Sequence, residues 1–229
     1  RLDIVAIAPT EPARGALFLV VTIVSIMSGR VTPAFTKNAI QTARIRRIAN
    51  LDPAAIALLA VALAAQLAGA TGWLLATFAL IAAVAHAVRL ALWDPLSTVR
   101  HPILWILHLS YAWIPLGLLL LALSALYPGI SVTLSLHALG AGAVGGTIIG
   151  MITRTARGHS GRPLKTGSAE TAAYLLVHLG AAARVFGPLA APAHYGVWLI
   201  AGGAAWSIAF LLYLIVYWPI LSRSSLDAR

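Results

Sequence analysis

The sequence predicts an all-α fold, a polytopic bundle of about seven transmembrane helices that forms a single transmembrane domain over residues 1–229. Three observations predict it. Of the 229 residues, 60% are hydrophobic and 10% are charged, where a soluble domain carries roughly 25% charged residues. Apolar runs of about 20 residues, enough to cross a bilayer, recur along the chain. The basic residues fall on alternate loops. Mean hydropathy is +0.90.

Seven runs are expected to span, at residues 15–29, 54–69, 73–92, 102–126, 130–153, 170–187 and 194–221. The first two are short, so they extend or tilt. In "LDP" (Leu51–Pro53) and "RHP" (Arg100–Pro102) a proline stands at a helix start, where its missing N–H costs nothing. "ATGW" (Ala70–Trp73), "YPG" (Tyr127–Gly129) and "FGPLAAP" (Phe186–Pro192) read as turns.

The charges orient this stack. Arg30, Lys37, Arg44, Arg46 and Arg47 follow the first run, and Arg89 and Arg100 bracket the loop after the third. Arg154, Arg157, Arg162 and Lys165 follow the fifth, and Arg223 and Arg229 lie in the tail. The other turns hold only Arg184, near the end of the sixth run. This positive-inside pattern makes those loops and the C-terminus cytoplasmic and puts the first residues outside. The net charge of +10 then needs no nucleic acid, and the lipid bilayer is the expected partner. The chain starts at Arg1 with no cleavable apolar leader, and it is expected to be a piece of a longer protein.

The absence of cysteine excludes disulfides, thiolate metal sites and iron–sulfur clusters. The acids are Asp3, Glu11, Asp52, Asp94, Glu170 and Asp227, and none stands mid-helix. That weighs against ion-coupled transport, which places carboxylates near the bilayer centre. No nucleophile elbow or zinc-protease motif occurs.

Histidine is the polar residue that does enter the spans. His86, His101, His108, His137, His159, His178 and His194 are the seven. A histidine in lipid either bonds a neighbouring helix or serves a function, and neutral imidazole ligates haem iron and copper. In "HPILWILH" the two histidines are seven apart and share a helix face, with His108 about 10 Å deeper than His101. His137 and His159 lie near opposite membrane faces, about 24 Å apart along the helix, so one metal cannot join them. Gly142, Gly146 and Gly150 form a stripe that suits tight helix packing or close approach to a flat macrocycle. Trp73, Trp93, Trp198 and Trp218 stand near span ends as interface anchors.

Several stretches together resemble the NnrS family of bacterial membrane proteins. They are "SGRVTPAFTKNA" (Ser28–Ala39), assigned to a cytoplasmic loop, "PILWILHLSYAWIPLGLLL" (Pro102–Leu120), and "HALGAGAVGGTIIGMITRTARGHSGRPL" (His137–Leu164). The ending "AWSIAFLLYLIVYWPIL" also resembles that family's last helix. Members typically have about twelve helices of bilayer-spanning length, and the resemblance covers the later part. The resemblance implies a haem- and copper-containing protein of the bacterial inner membrane, tied to nitric oxide, nitrosative stress and denitrification. It implies His108, His137 and His159 as metal ligands. It also implies Arg30, Asn38, Arg154 and Arg162 as cofactor-binding residues that would hold haem propionates, because arginine pairs with carboxylates in a bidentate way. Catalysis, sensing and protection of iron centres all fit this reading. A transporter or channel for a small substrate or metal ion is the alternative, which the embedded histidines, the glycine stripe and Pro115 would suit. A third reading is an assembly protein without a cofactor.

Overall fold

The computed structural model describes residues 10–222. Arg223 and Arg229, two of the orienting charges, lie outside the described residues. Within these, seven helices form the fold and no strand occurs. They are α1 (Thr10–Ala39), α2 (Leu51–Leu67), α3 (Gly72–Ala91), α4 (Pro102–Leu126), α5 (Val132–His159), α6 (Ser168–Ala190) and α7 (Tyr195–Leu221). Six are long and apolar enough to cross a membrane, and α2, with 17 residues, is shorter. The fold is that of a multi-pass membrane protein.

Helix ends follow local chemistry. Pro102 opens α4, and Gly69 and Gly72, at φ 78° and 61°, make the turn between α2 and α3. Gly161 at φ 68° lets the chain leave α5, and the Ser131 hydroxyl caps its start by accepting from Thr133 N–H.

α1 corrects one expectation. The stretch Ser28–Ala39 is helix, not loop, and α1 runs to Ala39 through Pro33. A proline inside a helix removes one N–H bond and crowds the residue four back. Here that residue is Gly29, which has no side chain to add to the crowding. Hydropathy marks where the membrane ends, and the helix continues past it.

α4 is the centre of the bundle. In its most apolar stretch 67% of residues are buried, against 11% in α7. The glycine stripe of α5 packs on it: a Cβ at Gly142 would strike the Trp113 ring, one at Gly146 would strike Ser110 and His178, and one at Gly150 would reach Leu107 and Ile106 at 3.0–3.1 Å. Within α5 the stretch Ala138–Val144 is π-helical, a wider ladder than the turns around it.

A buried polar network ties α1 to α4. Arg89 is 2% exposed. Its Nε donates to Asp52 Oδ1 at 2.6 Å, and its Nη1 donates to Ser25 O and Ser25 Oγ at 3.1 Å and to Tyr111 Oη at 2.8 Å. Tyr111 Oη lies 2.6 Å from His86 Nδ1, and His86 Nε2 lies 3.0 Å from Ala55 O. A carbonyl only accepts, so His86 carries its proton on Nε2 and Tyr111 donates to Nδ1. Arg89 is therefore an interior anchor and not a loop-edge orientation signal, because Asp52 comes down from α2 to meet it. Trp93 is likewise buried, at 4%, and is no interface anchor. After α3 the chain turns inward, so its ring lies 4.5 Å from Tyr111 and 5.3 Å from the Arg89 guanidinium.

Two outcomes follow for stability. Tyr111→Phe leaves Arg89 Nη1 and His86 Nδ1 each one partner short, at a cost of about 1–3 kcal/mol per orphaned group, seen as a lower unfolding midpoint in detergent. Gly146→Ala is expected to lower that midpoint as well, whereas Gly15→Ala, at a site with no atom within 4 Å, leaves it unchanged.

Candidate functional site

An open apolar groove lies beside His108 on the surface of the bundle. It has a volume of about 410 Å³, within the roughly 300–1,000 Å³ of small-ligand sites. Leu90 from α3, Trp105, His108, Leu109 and Ala112 from α4, and Leu175 from α6 line it. The turn Pro95–Thr98 closes the end nearest the basic loops. Asp94 sets that turn at φ 55°, its carboxylate accepts Arg44 N–H at 2.8 Å, and Thr98 Oγ1 donates to Pro95 O at 2.7 Å.

His108 is 3% exposed. Its Nδ1 lies 3.2 Å from Leu104 O, which makes Nδ1 the protonated nitrogen. Its Nε2 lies 3.5 Å from Thr36 Oγ1, but that hydroxyl donates to Thr32 O at 2.9 Å. Nε2 thus keeps a lone pair with no proton offered to it. A ligating histidine is commonly arranged so, with one ring nitrogen anchored on a carbonyl and the other free.

The other predicted ligands differ. His137 Nε2 lies 3.3 Å from Arg184 Nη2, and since arginine only donates, the His137 lone pair is occupied by a cation. His137 Nδ1 and Arg184 Nε are buried without partners. His159 is exposed at the end of α5. His101 is also exposed, because it precedes the first turn of α4 and so does not share the buried face of His108. Among the described residues no three His, Asp or Glu side chains converge on one point. His108, with one ring nitrogen anchored and the other free, is the residue here that could serve as a single histidine ligand to haem iron. A copper site assembled from His137 and His159 does not fit.

The basic face divides into paired and unpaired arginines. Arg157 donates to the Glu170 carboxylate and, at 2.9 Å, to Tyr217 Oη. Glu170 also accepts from Tyr217 at 3.1 Å and from Gly167 N–H at 2.8 Å, and it is 5% exposed. Among the described residues Arg154 makes no salt bridge, and it stacks 3.8 Å over the Phe35 ring. That contact joins the α1 and α5 motifs. Arg162 donates to Ser160 O at 3.4 Å. Arg30 and Asn38 lie exposed on α1, and neither side chain bonds to Arg154 or Arg162. Two groups escaped sequence reasoning. Thr36 lies inside a quoted motif but faces His108 only because α1 continues as helix. Arg100, exposed beside the groove residue Val99, is indistinguishable in sequence from an orienting charge.

Compared with known families, residues 4–225 match the family model described as NnrS protein. No curated protein and no solved structure matches the chain.

The paired and unpaired arginines should separate in a thermal melt. Arg157→Gln strands the buried Glu170 and should cost about 3–5 kcal/mol. Arg162→Gln removes a half-exposed side chain and should change stability by no more than about 0.5 kcal/mol.

Proposed function

The chain belongs to the NnrS family, and from that premise we propose that it is a haem-holding membrane protein of the nitric oxide response. We place it in the bacterial inner membrane with its basic face and C-terminus in the cytoplasm, as the alternation of its basic loops favours. The observation that carries the reading is His108, a buried imidazole with an anchored Nδ1–H and an uncommitted Nε2 that faces Thr36, in a residue that also lines an apolar groove.

Haem iron held by one histidine supplies an open position that binds a diatomic ligand such as nitric oxide. The chain's own residues would do the rest. Leu104 O fixes the His108 tautomer and makes the ring a better donor of its lone pair. Leu90, Leu96, Val99, Trp105, Leu109 and Leu175 keep the groove apolar, which favours a macrocycle over water. Arg100, next in sequence to the groove residue Val99, and Arg154 and Arg162, which have no acid partner among the described residues, offer cations for propionate carboxylates at the basic face, with Arg30 and Asn38 exposed on α1. Copper, if the protein carries it, would need ligands beyond the histidines this chain brings together.

The test is the optical spectrum of the purified full-length protein with and without nitric oxide, alongside iron and copper analysis. A Soret band that shifts with nitric oxide is expected, and it should be lost or displaced in His108→Ala while His159→Ala keeps it. Protein from haem-replete cells without a Soret band, or a His108→Ala spectrum identical to the parent, would sink the reading.

A further inference from the structure

Arg184 stands apart from the basic loops. It lies on α6 about 9 Å short of that helix's end at Ala190, at the opposite end of the bundle from Arg154 and Arg157. Its Nη2 donates to His137 Nε2 at 3.3 Å. A histidine that accepts in this way is neutral, so it holds the guanidinium without balancing its charge. Among the described residues no carboxylate pairs with Arg184, since Glu11, Asp52 and Glu170 are taken by Arg14, Arg89 and Arg157. The polar atoms left over in the pair are donors too. Arg184 Nε and His137 Nδ1 are shielded and have no acceptor. A positive charge with surplus donors on a spanning helix is costly until an anion completes it.

Two neighbouring glycines of α7 shape the surroundings, and only one is explained by packing. A Cβ at Gly202 would lie 2.5 Å from Arg184 Cγ, so the arginine stem crosses α7 where no side chain stands. Gly202 also meets Gly180 of α6, whose Cβ would lie 2.8 Å from Gly202 O. Gly203 is different. It is half-buried, and a Cβ built there would find Arg184 Nη1 at 4.0 Å and no other atom within that distance. Nothing packs into the space its missing side chain leaves, so a notch stays open beside Nη1. Phe186 and Ile200, close in sequence on the same two helices, are exposed, as residues that face lipid are.

We propose that Arg184, His137 and the notch at Gly203 form a binding site for a phosphate-type oxyanion at the end of the bundle opposite the basic loops. Arg184 supplies the charge. Its Nη1 carries two N–H bonds that no described residue uses, and these donate into the notch. His137 is the positioning residue, because it fixes the guanidinium through Nη2 and leaves Nη1 free. A membrane lipid's phosphate and free phosphate share this chemistry, and the exposed apolar residues on both helices favour the lipid.

The site does not rest on haem. It is tested by solid-state NMR of the full-length protein labelled with ¹⁵N-arginine, with the Arg184 guanidinium signal assigned by its loss in Arg184→Gln. Dephasing of that signal by ³¹P is measured in phospholipid nanodiscs free of inorganic phosphate, and in a maltoside detergent to which inorganic phosphate is added. Strong dephasing in the nanodiscs is expected and identifies a lipid headgroup. Dephasing only in detergent with inorganic phosphate identifies a soluble anion and supports the site equally. Gly203→Leu fills the notch and leaves the Arg184–His137 contact in place, so it is expected to abolish the dephasing while the Arg184 signal remains. Absence of dephasing under both conditions, or dephasing unchanged in Gly203→Leu, would overturn the proposal.

Discussion

The first four helices depend on one buried cation. Arg89 spends its guanidinium on Asp52 of α2, Ser25 of α1 and Tyr111 of α4, and Tyr111 passes the connection to His86 and back to the α2 backbone at Ala55. An uncompensated charge in a membrane interior is costly, so the arrangement is stable only when all of these partners are present together. That requirement aligns α1 to α4, and with them the His108 face of α4 and the Thr36 face of α1. The α3 and α4 walls of the groove are thereby held together, since Arg89 of α3 is bonded to Tyr111 of α4.

The two halves of the bundle treat polarity differently. In α1 to α4 His86 and Arg89 have partners of good geometry. Of the buried atoms that lack one among the described residues, Gln66 Oε1 lies on α2 and Thr166 Oγ1 in the loop before α6, while His137 Nδ1, Thr147 Oγ1, Tyr174 Oη, His178 Nε2, Arg184 Nε and Trp206 Nε1 belong to α5, α6 and α7. A polar atom left without a partner in a hydrocarbon setting is costly. Orphaned polar atoms are therefore concentrated in the second half, while the buried His86 and Arg89 of the first are bonded. The tight seam between them is the glycine stripe of α5 on α4.

Much of the architecture was legible because spans and loops are properties of sequence windows. Apolar length placed most helix ends to within about three residues, but α1 starts five residues before the expected run and continues through Pro33 as a polar helix, and α5 runs six residues past the expected end at 153. The stripe at Gly142, Gly146 and Gly150 was legible as a packing face from its spacing alone. The chemistry was harder to read, because a histidine's role is decided by atoms on other helices. His137 meets Arg184, 47 residues away, and His178 meets Trp113, 65 away. His86 and His178, outside the recognised motifs, prove to be among the buried polar groups. His108 alone combined a motif position with a free lone pair. Arg89 was misread because a charge one turn inside a span and a charge at its rim look alike in one sequence.

The π-helical stretch Ala138–Val144 acts as a clutch in α5. By holding one residue more than a regular helix would, it sets the azimuth of everything beyond it by about 100°, one residue's share of a turn. Arg154 over Phe35 and Arg157 on Glu170 are in register only with that residue present. A single deletion there would give a more regular helix and a worse protein, with the basic end turned away from both partners. In this helix, chain length encodes direction, and side chains that touch nothing in common are bound together by counting.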